Sequence, residues 1–279
     1  MWSIGIYTGN SPFALFPSAR VVNPVLTAAN VTDMPASFVA DPFVIRGEMF
    51  FEVMNGETKK GSIGLATSKD GFDWCYERIV LDEPFHLSYP YVFEWQNSCY
   101  MIPETLGANA ACLYKADDYP FRWSMTARLV EGPCADPSIV RFKDLWWLFV
   151  CSTPYQHDAL RLYFAEQLTG PWREHPRSPI VRADQCRARP AGRMLTLNNR
   201  LIRFAQDCVP QYGTRVRAFN ILELTTTNYV EVENIASPVL QPNGDGWNAA
   251  GMHHMDAYRQ ANGDWWACVD GFSKHGLSE

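Results

Sequence analysis

The feature that most constrains this chain is a repeat. A short polar motif opens into an apolar strand, turns at polar or glycine residues, and returns as an aromatic strand. The first copy runs Ala40-Asp41-Pro42-Phe43-Val44-Ile45 and returns as Met49-Phe50-Phe51-Glu52-Val53. Tyr89-Pro90-Tyr91-Val92-Phe93 returns as Cys99-Tyr100-Met101-Ile102-Pro103-Glu104, and Ala135-Asp136-Pro137-Ser138-Ile139-Val140 as Trp146-Trp147-Leu148-Phe149-Val150. Arg189-Pro190-Ala191-Gly192-Arg193-Met194 and His253-His254-Met255-Asp256-Ala257-Tyr258 open the remaining copies. The openings near 41, 89, 136, 189 and 253 lie roughly 50 residues apart, widening toward the end, which suits propeller blades of about four strands. Arg46-Gly47, Gln96-Asn97, Lys143-Asp144, Asn198-Asn199 and Asn262-Gly263 supply the turns between the strands.

Third strands follow at 62–68, 111–115, 160–165 and 216–220, but none follows the last hairpin. Trp2-Ser3-Ile4-Gly5-Ile6-Tyr7-Thr8-Gly9 reads as the missing one. Pairing it with the last blade closes the ring and removes an open edge. The expectation is therefore one all-β, five-bladed β-propeller domain over 1–279, with an N-terminal strand closing the last blade. Helical periodicity is nearly absent.

Composition narrows the chemistry. A net charge of −6, a pI near 5.5 and no basic run argue against a nucleic-acid partner. No run approaches the length of a membrane span. No leader pattern opens the chain, and its eight Cys, without a C-x-x-C pair, read as buried thiols in a reducing compartment. The expected location is cytoplasmic. No Walker or dinucleotide motif and no Gly-x-Ser-x-Gly elbow is present.

First strands line a propeller's channel, so Asp41, Tyr89, Asp136, Arg189 and His254 should converge. The second strands end at Glu52, Glu104, Gln206 with Asp207, and Asp270, which point to the same region. Any one X-Pro opening could be turn punctuation, but a blade core needs no polar residue at all of these positions. Glu104, after Met101-Ile102-Pro103, is either a desolvated acid with a raised pKa or a hydrogen-bonded structural group. Strand alternation lets only one of His253 and His254 face the channel. Ligand spacing gives no metal site and no cofactor. A channel cation held by His254 and carboxylates would be calcium. Trp146-Trp147 and Trp265-Trp266 read as blade packing, with any exposed member of each pair free to stack on a sugar.

The Asp-Pro openings and the run Ile63-Gly64-Leu65-Ala66-Thr67-Ser68-Lys69-Asp70-Gly71-Phe72-Asp73-Trp74 resemble the five-bladed glycoside hydrolases of families 32, 43, 68, 117 and 130. Closer still is the N-terminal propeller domain of plant glucosamine inositolphosphorylceramide transferases and their bacterial relatives. Residues 2–16, Asn23-Pro24-Val25-Leu26-Thr27-Ala28, Phe38-Val39-Ala40-Asp41-Pro42-Phe43, His86-Leu87-Ser88-Tyr89-Pro90 and Tyr100-Met101-Ile102-Pro103-Glu104 look like that domain. The resemblance to the hydrolases implies that Asp41 is the base or nucleophile. It departs at blade two, which opens with Tyr89, and at blade three, where no Glu has the context of the family's acid. Glu104 is the expected acid, with Glu52 as the other candidate, and Asp136 is the orienting carboxylate. Arg189, His86, Tyr89 and His254 would then bind sugar hydroxyls or an anionic substituent. Two functions follow: an enzyme acting on a glycosidic bond, or a non-catalytic carbohydrate-recognition module. Either takes a carbohydrate or glycoconjugate as partner, and the plant resemblance implies an additional domain.

Overall fold

The computed structural model describes residues 1–274. Its strands form five sheets, one per blade, arranged as a β-propeller. Blade I comprises Ala36–Ile45, Glu48–Asn55, Gly61–Thr67 and Cys75–Leu81, from channel to rim. Blade II comprises Ser88–Trp95, Ser98–Glu104, Ala110–Asp118 and Arg122–Glu131. Blade III comprises Ala135–Phe142, Leu145–Cys151, Leu160–Ala165 and the short Arg173–Glu174. In blade IV the inner strand is broken into Arg189–Pro190 and Leu195–Leu197. Both pieces pair with Arg200–Asp207, followed by Arg215–Leu224 and Tyr229–Glu233.

Blade V is assembled from both ends of the chain. Met255–Arg259 pairs with Trp265–Phe272, which pairs with Trp2–Ser11 and then Ala14–Pro17. The N-terminal segment is thus the third strand of the last blade, as its pattern predicts. Among the described residues no helix is long and apolar enough to cross a membrane.

The first hairpins of blades I to IV turn where the sequence places them. Both central residues have positive φ in each: Arg46 and Gly47, Gln96 and Asn97, Lys143 and Asp144, Asn198 and Asn199. That is the type I′ geometry whose twist matches the strands it joins.

Apolar side chains fill every interface between blades. Phe50 and Leu65 of blade I pack with Tyr91, Met101 and Leu113 of blade II, and these with Ile139 and Leu148 of blade III. Ile4, Ile6 and Trp266 of blade V meet Phe51 and Trp74 of blade I. Strand alternation explains the Trp pairs. Trp146 points toward blade II and Trp147 toward blade IV. Trp265 points toward blade IV and Trp266 toward blade I. All four are buried, as blade packing requires, and neither pair keeps an exposed ring for sugar stacking.

Candidate active site

The X-Pro openings are distorted as well as polar. Each inner strand of blades I to III carries a β-bulge at its opening. There Asp41, Tyr89 and Asp136 take φ of 53°, 47° and 48°. Asp tolerates this left-handed conformation; a Tyr in it is strained. The distortion sends each N–H to a carboxylate of the preceding blade. Asp41 N–H donates to Asp270 Oδ2, Tyr89 N–H to Asp41 Oδ2, and Asp136 N–H to Glu104 Oε2, all at 3.2 Å. The openings are both turn devices and site residues: the acids that converge on the channel also tie each blade to the next.

The structure brings together Asp41, Glu52, Glu104, Asp136, Arg189, Gln206, Asp270 and both His253 and His254. All of them are buried. Donors are distributed unevenly among the acids. Asp270 Oδ1 accepts the N–H groups of His253 and His254 at 3.0 Å each, and its Oδ2 accepts that of Asp41. His253 Nδ1 lies 2.7 Å from Asp270 Oδ2, off the line of a well-formed hydrogen bond. Asp136 Oδ2 accepts from Arg189 Nε at 2.6 Å and from Gln206 Nε2 at 2.7 Å, and its Oδ1 accepts from Arg189 Nη2 at 3.2 Å. Glu104 has both donors on one oxygen, Asp136 N–H and Arg189 Nη2. Asp41 accepts one hydrogen bond, from Tyr89 N–H. Glu52 accepts none from any described residue; the nearest donor is His86 Nε2, 3.5 Å from its Oε1.

The acidities follow. Burial opposes ionisation of Asp270 most strongly, but His253 and the bonded N–H groups outweigh it and hold this carboxyl below its ordinary value. Burial pushes Asp41 up to about 7, with His253 opposing and Asp136 and Asp270 adding to the rise. Burial pushes Glu104 up to about 8, against the pull of Arg189 and helped by Asp136. Glu52 is raised well above its usual value, by burial and then by Asp41, Glu104, Asp136 and Asp270.

Three side chains depart from their expected roles. Arg189 was placed on the substrate, yet each of its five N–H groups has a protein acceptor. Beyond the carboxylates, Nη1 donates to Pro154 O and to His157 Nδ1. It organises the acids. Tyr89 is fully buried, and its hydroxyl meets Ser138 Oγ at 2.8 Å and accepts Gly192 N–H at 2.6 Å. Its ring stands edge-on to Phe43 and His254, so this one residue touches every blade and plugs the channel axis. Asp207 alternates with Gln206 and points away, to Arg217 at 2.8 Å and Arg215 at 3.4 Å.

The two-histidine segment also departs from the alternation argument. His253 Nε2 and His254 Nδ1 both lie 3.8 Å from Asp41 Oδ1. The strand begins only at Met255, so residues 253 and 254 are not constrained to alternate. His254 Nε2 donates to Pro42 O at 2.9 Å, and burial lowers its pKa to about 4, which keeps it neutral. Asp41, His253 and Asp270 could offer three ligand atoms within 4.8 Å of one another. The oxygens of Asp270 are already occupied by donors, however, and calcium needs six to eight oxygen ligands. These three residues alone do not make a calcium cage.

Sequence reasoning missed His253, His157 and Tyr212. Tyr212, 39% exposed, lies with its ring 5.0 Å from the Arg189 guanidinium and edge-on to His253. It lies beside the Arg189 guanidinium while part of it stays exposed to solvent. Only its place in a loop after a channel strand, beside Pro210, could have signalled it. A cavity of about 540 Å³ lies elsewhere, on the flank of blade III beside Phe164, Pro171 and Arg173, away from the acids.

A five-bladed propeller with carboxyl groups gathered at its channel is a fold that solved glycoside hydrolases share. The fold resembles the catalytic domain of the Coprinopsis cinerea GH62 α-L-arabinofuranosidase, with a TM-score of 0.65 at 12% identity, covering 100% of this chain and 92% of that one. It also resembles a family 117 glycoside hydrolase of Zobellia galactanivorans, with a TM-score of 0.55 at 11% identity over 97% of this chain and 91% of that one. The chain belongs to the family described as "Glucosamine inositolphosphorylceramide transferase 1, N-terminal", whose model matches residues 1–272. The glucosamine inositolphosphorylceramide transferase 1 of Oryza sativa subsp. japonica is 37% identical to it over 295 residues. That of Arabidopsis thaliana is 33% identical over 295 residues. The match covers 97% of this chain but only 40% of the rice protein and 39% of the Arabidopsis one.

Proposed function

We propose that this propeller acts on a glycosidic bond of a glycoconjugate. Asp41 is the base and Asp136 the orienting carboxylate. A glutamic acid held protonated, Glu104 or Glu52, is the acid. The observation that carries this is the spread of acidities in one buried site: Asp41 near 7 and Glu104 near 8 stand beside Asp136, which Arg189 grips in a bidentate ion pair. Glycoside cleavage needs this mixture, one carboxyl ionised and one protonated. The transferase relatives carry glucosamine and inositolphosphorylceramide in their names, so glycoconjugates of that kind lead the substrate panel.

The test is a turnover screen over aryl glycosides, oligosaccharides and glycosylated inositol phosphates, with wild type beside Asp41→Asn. Wild-type turnover that falls at least ~100-fold in the variant supports the proposal, by the usual weight of one acid–base group. Full activity in Asp41→Asn removes Asp41 from the chemistry.

A second reading, a glycan-recognition module, is favoured by one observation. Arg189 and Asp136 are engaged with each other and with the protein, as in a rigid scaffold. It predicts saturable glycan binding without product formation.

A further inference from the structure

Glu52 differs from every other acid of the pocket. Asp270, Asp136, Glu104 and Asp41 each accept at least one N–H of the protein, whereas Glu52 accepts none from the described residues. A carboxylate without donors in a buried site is poorly stabilised, so the neutral acid is its resting form. A neutral acid with no protein partner for its O–H is free to donate that hydrogen outward, to a bound molecule.

One side chain is placed to aim it. Gly61 N–H donates to His86 Nδ1 at 2.9 Å. That bond makes Nδ1 the acceptor and leaves the ring hydrogen on Nε2. Nε2–H faces Glu52 Oε1 at 3.5 Å, a gap that closes to a hydrogen bond with a shift of a few tenths of an ångström. Burial and Arg189 lower the pKa of His86, so the ring stays neutral and this tautomer persists. Oε1 thus takes the accepting role, and the acid hydrogen sits on Oε2. Glycine is required at 61, because a Cβ there would stand 2.7 Å from His86 Cε1 and 3.0 Å from Glu52 Oε1. With its side chain 36% exposed, His86 stands at the solvent edge of the pair.

We infer that Glu52 is the proton-donating carboxyl of this pocket and that His86 is its positioning residue. The inference rests on the glycosidic-bond reading. In the step, the Glu52 proton passes to the glycosidic oxygen as the C–O bond breaks and its electron pair moves to that oxygen. Water, or an acceptor hydroxyl, forms the new C–O bond and gives its proton to the Asp41 carboxylate. Both carboxyls then return to their starting forms by proton exchange with solvent.

The decisive experiment compares glycosides with poor and good leaving groups in Glu52→Gln and Glu104→Gln. Loss of the acid slows a poor leaving group by ~100-fold or more and spares one that departs without a proton. That pattern in Glu52→Gln and not in Glu104→Gln is the expected result. The same pattern in Glu104→Gln alone overturns the inference, as does unimpaired turnover by Glu52→Gln. His86→Phe should lower kcat with KM unchanged, and His86→Gln, which keeps an N–H donor, should restore most of it. Without substrate, selective carboxyl ¹³C NMR should find a Glu carboxyl protonated at neutral pH that is missing from Glu52→Gln, beside that of Glu104. A Glu52 ionised at neutral pH overturns the inference. Wild type inactive on every glycoside sinks the glycosidic reading and this inference together. An active wild type with an indifferent Glu52→Gln sinks only the second.

Discussion

Asp270 and Glu52 lie in the second strands of adjacent blades, V and I, and both are buried among the same acids. Their acidities nevertheless move in opposite directions, Asp270 down and Glu52 up. Burial acts on both in the same sense, so the difference lies in the supply of N–H groups. Facing Asp270, residues 253 and 254 precede the inner strand, and their N–H groups are free to converge on one oxygen. Facing Glu52, Ala40 is already paired with it in the ladder. The N–H of Asp41, freed by the bulge, goes to Asp270. The inner strand begins after the residues facing Asp270 but well before the residue facing Glu52, and this separates a carboxylate that collects backbone N–H groups from one that collects none.

The largest effect that could break this comparison is in stability. Asp270→Ala strands three backbone N–H groups and a buried histidine, a loss of about 3–5 kcal/mol as for breaking a buried charged pair. Glu52→Gln removes no accepted N–H bond and should be neutral or stabilising at neutral pH. Urea unfolding of the two variants measures both. Similar losses in each would mean that donor supply does not distinguish the two corners.

Much of this architecture was legible in the chain. The openings, the type I′ turns and the closing strand follow from alternation and turn chemistry, which are local. The site was legible as a set of converging acids but not as a division of labour. Nothing in Tyr89-Pro90 distinguishes a phenol that binds sugar from one that plugs an axis, because the difference is whether Ser138 and Gly192 of two other blades lie beneath it. Arg189 reads as an anion binder until the carbonyl of Pro154 and the ring of His157 fill its last two N–H positions. Rotation at a bulge, and the end of a strand before His254, decide which N–H meets which acid. Residue type carries neither.

The pH dependence of stability sharpens the comparison next. Asp41, Glu104 and Glu52 have folded pKa values above their unfolded ones, so the folded state holds protons that the unfolded chain releases. Their contribution is full below the ordinary carboxylate range and is lost as pH rises through about 7 for Asp41 and about 8 for Glu104. Asp270 has the opposite sign: its contribution is present above the ordinary range and is lost as pH falls through its lowered pKa. At about 1.4 kcal/mol per unit, Asp41 and Glu104 each amount to a loss on the order of a few kcal/mol as pH rises to those values. Melting temperature should therefore fall from mildly acidic to alkaline pH in the wild type and fall less in Glu52→Gln. Parallel curves would show that Glu52 is not protonated in the fold.

The smallest effect tests the comparison with a neutral acceptor. The Tyr89 hydroxyl accepts Gly192 N–H at 2.6 Å on the channel axis, where no water reaches it. Gly192 cannot move to compensate: its φ is +120°, and it abuts the backbone of Met255 in blade V. Tyr89→Phe should leave that N–H unpaired and cost about 1–3 kcal/mol, the penalty for a buried donor without a partner. Glycan binding should be unchanged, because the phenol faces Ser138 and Gly192 rather than the acids. Unfolding and calorimetric titration on the same preparation measure the two quantities. Lost binding at unchanged stability would return Tyr89 to the pocket. Lost stability at unchanged binding would extend the lesson of Asp270 to an uncharged group: at this channel, a side chain that receives a backbone N–H helps to hold the ring together, whether or not it carries charge.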